Sequence, residues 1–149
     1  MRYVGVLLVG MVLAWSGTSD AQQYIRSGAL TQGWTCSLDN IAATLTECQA
    51  APGAGKTLYI TDITAQSTTA TAGQFLLRTG TGANCGTGTA SLFPSSATVI
   101  RFAAPGNTST PLNVTLMTPL ATPSNTAICL LGVAVNTVTI QLSGFTVGF

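Results

Sequence analysis

The fold is decided by the stretch Ala51-Pro-Gly-Ala-Gly-Lys-Thr-Leu-Tyr-Ile-Thr-Asp-Ile-Thr64, whose two halves suggest different structures. The first half resembles the end of a phosphate-binding loop, but Ala50 stands where that motif requires its first glycine. Such a loop must also lead into a helix. The residues after Lys56 are instead rich in Ile, Tyr and Thr, which favour a β-strand. We therefore predict a turn that leads into a strand over Thr57–Gln66, with no bound nucleotide.

The N-terminus has the pattern of a secretory signal peptide. Arg2 precedes the apolar run Val4–Trp15, and small residues follow, with Ser19 and Ala21 at positions −3 and −1 of a cleavage before Gln22. The apolar run is short for a bilayer span. The alternatives are an uncleaved N-terminal anchor or a buried first strand.

The chain of 149 residues is thus expected to divide into a signal peptide at 1–21 and a single domain at 22–149, with no membrane span in the mature chain. We expect it in the extracellular medium or on the cell surface, or alternatively in the periplasm.

Histidine is absent, and the net charge is +1. This balance offers no basic face for nucleic acid. The low net charge also gives little repulsion between copies of the chain, so we keep self-association as an alternative. The ionisable side chains expected in the mature domain are Arg26, Asp39, Glu47, Lys56, Asp62, Arg78 and Arg101.

The 4 cysteines predict two disulfides, because an even number behind a signal peptide is typical of a secreted, oxidised domain. Three pairings are possible. We favour Cys36–Cys48, which closes a short local loop, and Cys85–Cys129, which ties a glycine-rich loop to a late strand. The absence of histidine and of any Cys-x-x-Cys pair predicts no metal site, and no motif predicts a cofactor.

Short β-type segments separated by Gly, Pro, Ser and Asn turns indicate an all-β fold, either an antiparallel sandwich or a barrel. We expect a loop over Pro119–Asn125, and Phe145, Val147 and Phe149 extend a period-two pattern after Gly144. The two arms of the first disulfide loop are Trp34–Cys36 and Thr44–Cys48. The remaining predicted strands are Gln22–Leu30, Thr57–Gln66, Gln74–Thr79, Ala90–Phe93, Ala97–Ala103, Leu112–Met117, Thr126–Leu131 and Thr137–Ser143.

A nucleophilic Ser or Thr usually needs histidine as its base, and this chain has none. A glycosidase needs two carboxyl groups, and Asp39 and Glu47 lie in one small loop. The simpler interpretation is that Asp39 caps a turn and that Glu47 is solvated. Asp62 is expected in a structural ion pair with Arg78 or Arg101. We therefore expect no enzymatic activity.

Three aromatic side chains are candidates for binding: Tyr24, Trp34 and Tyr59. Each could offer a flat face to a sugar ring or to another chain. The competing interpretation for each is packing in the core.

Three segments together resemble small β-sandwich proteins of bacterial secretomes and phage structural modules: Gly55–Ile63, Gly82–Thr89 and Asn125–Leu130. The similarity covers about residues 55–149. It implies a jelly-roll-like sandwich, a disulfide between the third and fourth cysteines, and a structural or recognition role. It brings no catalytic motif to this chain.

The leading functional hypothesis is a secreted, non-enzymatic module for adhesion, surface decoration or glycan binding, with a surface glycan or protein as partner. The second is a self-assembling subunit of an extracellular filament or sheath, in which Gln22–Leu30 completes a neighbour's sheet. The third is a small glycoside hydrolase that uses Asp39 and Glu47.

Overall fold

The computed structural model describes residues 31–41, 43–93, 101–133 and 137–148. The predicted signal peptide, the predicted strand Gln22–Leu30 and Tyr24 therefore lie outside the described residues. The described part contains a short 3-10 turn at Ala83–Cys85 and nine strands. These strands are β1 (Thr31–Ile41), β2 (Thr46–Gln49), β3 (Lys56–Ser67), β4 (Gly73–Thr81), β5 (Thr87–Ser91), β6 (Phe102–Ala104), β7 (Leu112–Ala121), β8 (Ala127–Val133) and β9 (Val138–Gly148).

The strands form two antiparallel sheets with a nested order. Sheet I has the order β1-β9-β3-β7, and sheet II has the order β2-β8-β4, with β5 and β6 both pairing with β4. The first strand thus pairs with the last, the second with the eighth, and the third with the seventh. Two sheets linked in this way define a jelly roll. The predicted antiparallel, jelly-roll-like sandwich is confirmed.

The core lies between the two sheets and is built from alternate residues of their central strands. Phe75 is fully buried and stacks on Phe102, with ring centroids 5.1 Å apart, and Phe93 packs against Phe102 at 5.5 Å. The other large, fully buried apolar side chains are Leu58, Ile60, Ile63, Leu77, Ile128, Leu130, Val138, Ile140 and Leu142.

The stretch Ala51–Thr64 forms a turn and the start of a central strand, as predicted. The backbone N–H of Lys56 donates to Gly53 O at 3.2 Å, and β3 follows directly, without a helix. Because β3 lies between β9 and β7, it has a sheet neighbour on each side.

A β-bulge at Thr61 changes which residues of β3 face the core. The register of β3 shifts between Ile60 and Asp62 against both neighbouring strands. Buried positions are even-numbered before the bulge, at Leu58 and Ile60, and odd-numbered after it, at Ile63 and beyond. A β-bulge places one extra residue in a strand and so has this effect. Asp62 therefore lies on the outer face of sheet I.

Several predicted strand bounds differ from the structure: the strand predicted at Ala90–Phe93 is β5 at Thr87–Ser91, and the arm Trp34–Cys36 belongs to the longer β1. The predicted loop from Pro119 begins inside β7, which continues to Ala121. Proline is tolerated there because β7 is at the edge of sheet I among the described strands. The predicted strand Thr137–Ser143 is too short, because β9 continues through Gly144 to Gly148, along the period-two pattern expected there.

Gly144 is required by a close approach to the neighbouring strand. A Cβ at this position would lie 1.8 Å from Tyr59 O and 2.6 Å from Trp34 Cζ2. Only glycine lets the three strands of sheet I meet here at normal spacing.

Both favoured disulfides are present. Cys36–Cys48 joins β1 of sheet I to β2 of sheet II, with Cα atoms 5.6 Å apart. Cys85–Cys129 fixes the glycine loop against β8, with Cα atoms 6.2 Å apart. Stable disulfides are typical of proteins from oxidising compartments. Within the residues described, no helix has the length and hydrophobicity needed to cross a bilayer.

Candidate functional site

The outer face of sheet I presents polar side chains in register across its strands. One row contains Gln141 beside Thr64, and the next contains Ser143 beside Asp62. The row beyond that places Phe145 beside Tyr59. Alternation makes this face solvent-facing, because the intervening residues of β3 and β9 form the core. We call this surface the polar face.

A depression of about 310 Å³ lies at one end of the polar face. Its volume is at the lower limit of typical small-ligand pockets. No charged side chain lines it, and all but one of its lining residues carry a neutral hydrogen-bonding group. The lining residues are Ser37, Thr64, Gln66, Ser67, Thr68, Asn107, Pro111, Thr139 and Gln141.

Two amide side chains in the depression are held in place by backbone carbonyls. Gln66 Nε2 donates to Ser109 O at 2.8 Å, and Asn107 Nδ2 donates to Thr68 O at 2.9 Å. Each side-chain NH2 group therefore donates within the protein. The oxygen of each amide accepts no hydrogen bond from the described residues. These two oxygens are fixed acceptors for a hydroxyl donor.

The loop that closes the depression is tied down by the backbone. Asn107 N donates to Thr69 O at 2.8 Å, and Ser67 N donates to Pro105 O at 2.7 Å. Gly106 permits this approach, since a Cβ there would lie 2.1 Å from Ala70 O. The depression is therefore formed before any ligand arrives.

Other side chains of the depression keep their full hydrogen-bonding capacity. Ser37, Thr139 and Gln141 make no side-chain hydrogen bond within the described part of the chain, and Gln141 is exposed. An amide and two hydroxyls supply both donors and acceptors. Together with the fixed oxygens of Gln66 and Asn107, they suit a polyhydroxylated, uncharged ligand.

Tyr59 supplies an aromatic surface on the same face. Its ring stacks on Phe145 with centroids 5.0 Å apart and planes within 8°. On its other side, the direct cross-strand neighbour of Tyr59 is the small residue Ala121. Tyr59 is half-buried, so part of the residue reaches solvent. A flat ring with a phenolic hydroxyl can contact a sugar by both packing and hydrogen bonding.

Asp62 lies between the depression and the aromatic pair, and its expected ion pair is not formed. Its Oδ2 accepts from Thr61 Oγ1 at 2.7 Å, and its Oδ1 accepts from Thr115 Oγ1 at 2.9 Å. Arg78 belongs to β4 of sheet II, and Arg101 donates to Gln74 of that strand at 3.3 Å. The bulge is the physical reason, because it turns Asp62 outward, where two hydroxyls satisfy the carboxylate.

Trp34 is separated from Tyr59 by the sheet. Its ring packs against the core and over Gly144, so it faces inward. It also lines a small cavity of about 160 Å³ near Lys56, at one end of the sandwich. Its buried Nε1 has no hydrogen-bond partner among the described residues. Of the predicted binding aromatics, only Tyr59 is thus placed on the polar face, while Tyr24 lies outside the described residues.

Asp39 and Glu47 lie on strands of different sheets, β1 and β2, which the Cys36–Cys48 disulfide joins. Asp39 is exposed on β1 of sheet I, next to the inward-facing Leu38. Glu47 is on β2 of sheet II and pairs with Cys129. Within the described residues, no cluster of His, Cys, Asp or Glu has the composition of a metal site.

Sequence reasoning missed the residues of the depression. Ser, Thr, Asn and Gln are spread over much of this chain, so their composition gives no signal of a site. Their convergence comes from the pairing of β3 with β9 and from the loop around Asn107. One signal was available: the apolar positions change phase between Ile60 and Ile63, which indicates a bulge and an outward Asp62.

Compared with known proteins, the chain matches no family model, no curated protein and no solved structure.

Proposed function

We propose that this protein is a non-enzymatic recognition module that binds a glycan on the polar face. The observation that carries the proposal is the depression, which is lined by neutral hydrogen-bonding groups and is preformed by backbone contacts. Sugar hydroxyls both donate and accept, as do the amide and hydroxyl groups that line it.

The aromatic pair supports a glycan over other uncharged ligands. Tyr59 offers an apolar ring surface on the same face as the depression. A sugar ring presents an apolar C–H face in addition to its hydroxyls, so it can use both kinds of surface. The fixed amides of Gln66 and Asn107 also lower the ordering cost of binding.

The proposal includes a non-catalytic role, which is supported by the placement of the described acids on different elements of the fold. Asp39 and Glu47 are on different sheets, and Asp62 is engaged by Thr61 and Thr115. Two carboxyl groups flanking the scissile bond are the usual requirement for that reaction.

Glycan-array screening of the purified protein, followed by calorimetric titration of the hits, tests the proposal. Gln141→Ala should weaken binding by about 1 kcal/mol, or about five-fold in Kd, through loss of one hydrogen-bonding group. Gln74→Ala is the matched control, since Gln74 is an exposed glutamine on sheet II. Its Kd should equal that of the wild type.

Loss of binding in both variants, or in neither, would contradict the assignment of the polar face. Product release from the bound glycan during prolonged incubation would contradict the non-catalytic role. Thermal melts of each variant should agree within a few degrees, which confirms that the comparison concerns binding alone.

A further inference from the structure

The polar face carries two separate recognition features along the same strands. In β9 the outward residues Gln141, Ser143 and Phe145 succeed one another, each beside an outward residue of β3. Gln141 lines the depression, and Phe145 belongs to the aromatic pair. Phe145 is four positions after Gln141 along the extended strand, a distance of about 14 Å at about 3.4 Å per residue. That distance exceeds the length of a monosaccharide and matches a short oligosaccharide.

The described charged side chains on the outer face of sheet I are all acidic. The half-buried carboxylate of Asp62 lies beside Ser143, midway between them. Asp39 of β1 adds a second acid on sheet I. The described basic residues lie elsewhere: Lys56 lines the cavity beside Trp34, while Arg78 and Arg101 are associated with β4. Described outward positions of sheet I therefore hold no cation to neutralise an acidic ligand.

From these two observations we infer that the ligand is an uncharged oligosaccharide that spans the depression and the aromatic pair, and that Asp62 is the specificity residue that rejects anionic chains. The inference rests on the proposed glycan-binding function and adds the length and charge of the ligand. Two hydroxyls hold the Asp62 carboxylate in place, so an acidic sugar above it meets a fixed negative charge.

Calorimetric titrations with two matched probe series test the inference. The neutral series comprises oligomannosides and oligogalactosides from monosaccharide to hexasaccharide. The acidic series comprises oligomannuronates and oligogalacturonates of the same lengths. We expect affinity in the neutral series to rise with length until the chain spans both features and then to level off. We expect each acidic oligomer to bind at least ten-fold more weakly than its neutral counterpart at low salt.

Asp62→Asn separates charge from shape. This nearly isosteric change should bring the acidic probes to within about two-fold of the neutral ones, with neutral binding retained. Asp39→Asn is the matched control and should leave the ten-fold difference in place. High salt should also narrow the difference for the wild type, because screening weakens repulsion between exposed charges.

The failures can be told apart. If neither the array nor the two series shows any binding, the proposed function itself is wrong. If binding occurs on the polar face but monosaccharides bind as tightly as hexasaccharides, the spanning ligand is wrong. If acidic and neutral probes bind equally, or if Asp62→Asn leaves their difference unchanged, the role of Asp62 is wrong.

Discussion

Replacing Gly144 with alanine tests the packing on which the polar face depends. The new Cβ would lie 1.8 Å from Tyr59 O and 2.6 Å from Trp34 Cζ2. A Cβ atom essentially never lies within 3.0 Å of such an atom, so the carbonyl of Tyr59 in β3 would have to retreat by at least about 1.2 Å. The obstacle is the main chain of a central strand, which cannot rotate away as a side chain can.

Overpacking of a core typically costs about 1–3 kcal/mol, and a backbone obstacle places this substitution at the upper end. We expect the free energy of unfolding to fall by about 3 kcal/mol. At about 4 °C per kcal/mol for a domain of this size, the Tm should fall by about 12 °C.

Gly33→Ala is the matched control, because Gly33 lies in the neighbouring strand β1 and a Cβ there meets only Gly144 O, at 3.9 Å. Its effect on unfolding should stay within about 0.5 kcal/mol. Urea denaturation followed by tryptophan fluorescence, together with calorimetric melts, measures both variants. Equal stability of Gly144→Ala and Gly33→Ala would refute the close approach of β9 to β3 at this point.

Three further predictions concern the fold. Cys129→Ser should lower the Tm more than Cys36→Ser, because the lost links span 44 and 12 residues and loop closure is worth about 4 and about 3 kcal/mol; equal losses in calorimetry would count against this order. Deleting Thr61 should leave a folded protein that melts a few degrees lower, since removal of the bulge restores strict alternation. Deleting Thr64 should abolish folding, as seen by circular dichroism, because it turns the rest of β3 inside out; similar spectra for the two deletions would contradict the bulge. Phe75→Ala should cost about 3–5 kcal/mol in urea denaturation, and a loss below 1 kcal/mol would show that this ring is not central to the core.

Most of the fold could be predicted because strand periodicity and turn residues are local signals. The alternation in Thr137–Ser143 and the turn before Lys56 correspond directly to β9 and β3. The short predicted ends of β7 and β9 arose where tertiary context outweighs local chemistry. Proline normally ends a strand, yet Pro119 is accommodated in β7, which is at the edge of sheet I among the described strands. Glycine usually weakens the interior of a strand, yet the lack of a side chain at Gly144 is what β3 and Trp34 require.

The candidate site was largely beyond sequence reasoning. The ion-pair prediction for Asp62 rested on the rule that a buried acid within a strand must be paired. The bulge at Thr61 instead turns this side chain outward, and only the shifted apolar position of Ile63 signals the bulge. The depression depends on contacts between residues distant in sequence, such as Gln66 with Ser109, which no local pattern records.

The most direct test of glycan recognition by the polar face is an NMR titration of the uniformly ¹⁵N-labelled protein with the tightest-binding neutral oligosaccharide. Our account predicts saturating shifts of the side-chain amides of Gln66 and Gln141 and of the backbone amide of Thr64, which lie on the polar face. The amides of Gln74 and Arg78 on sheet II should stay in place. Shifts confined to sheet II, or absent throughout the polar face under saturating conditions, would contradict it.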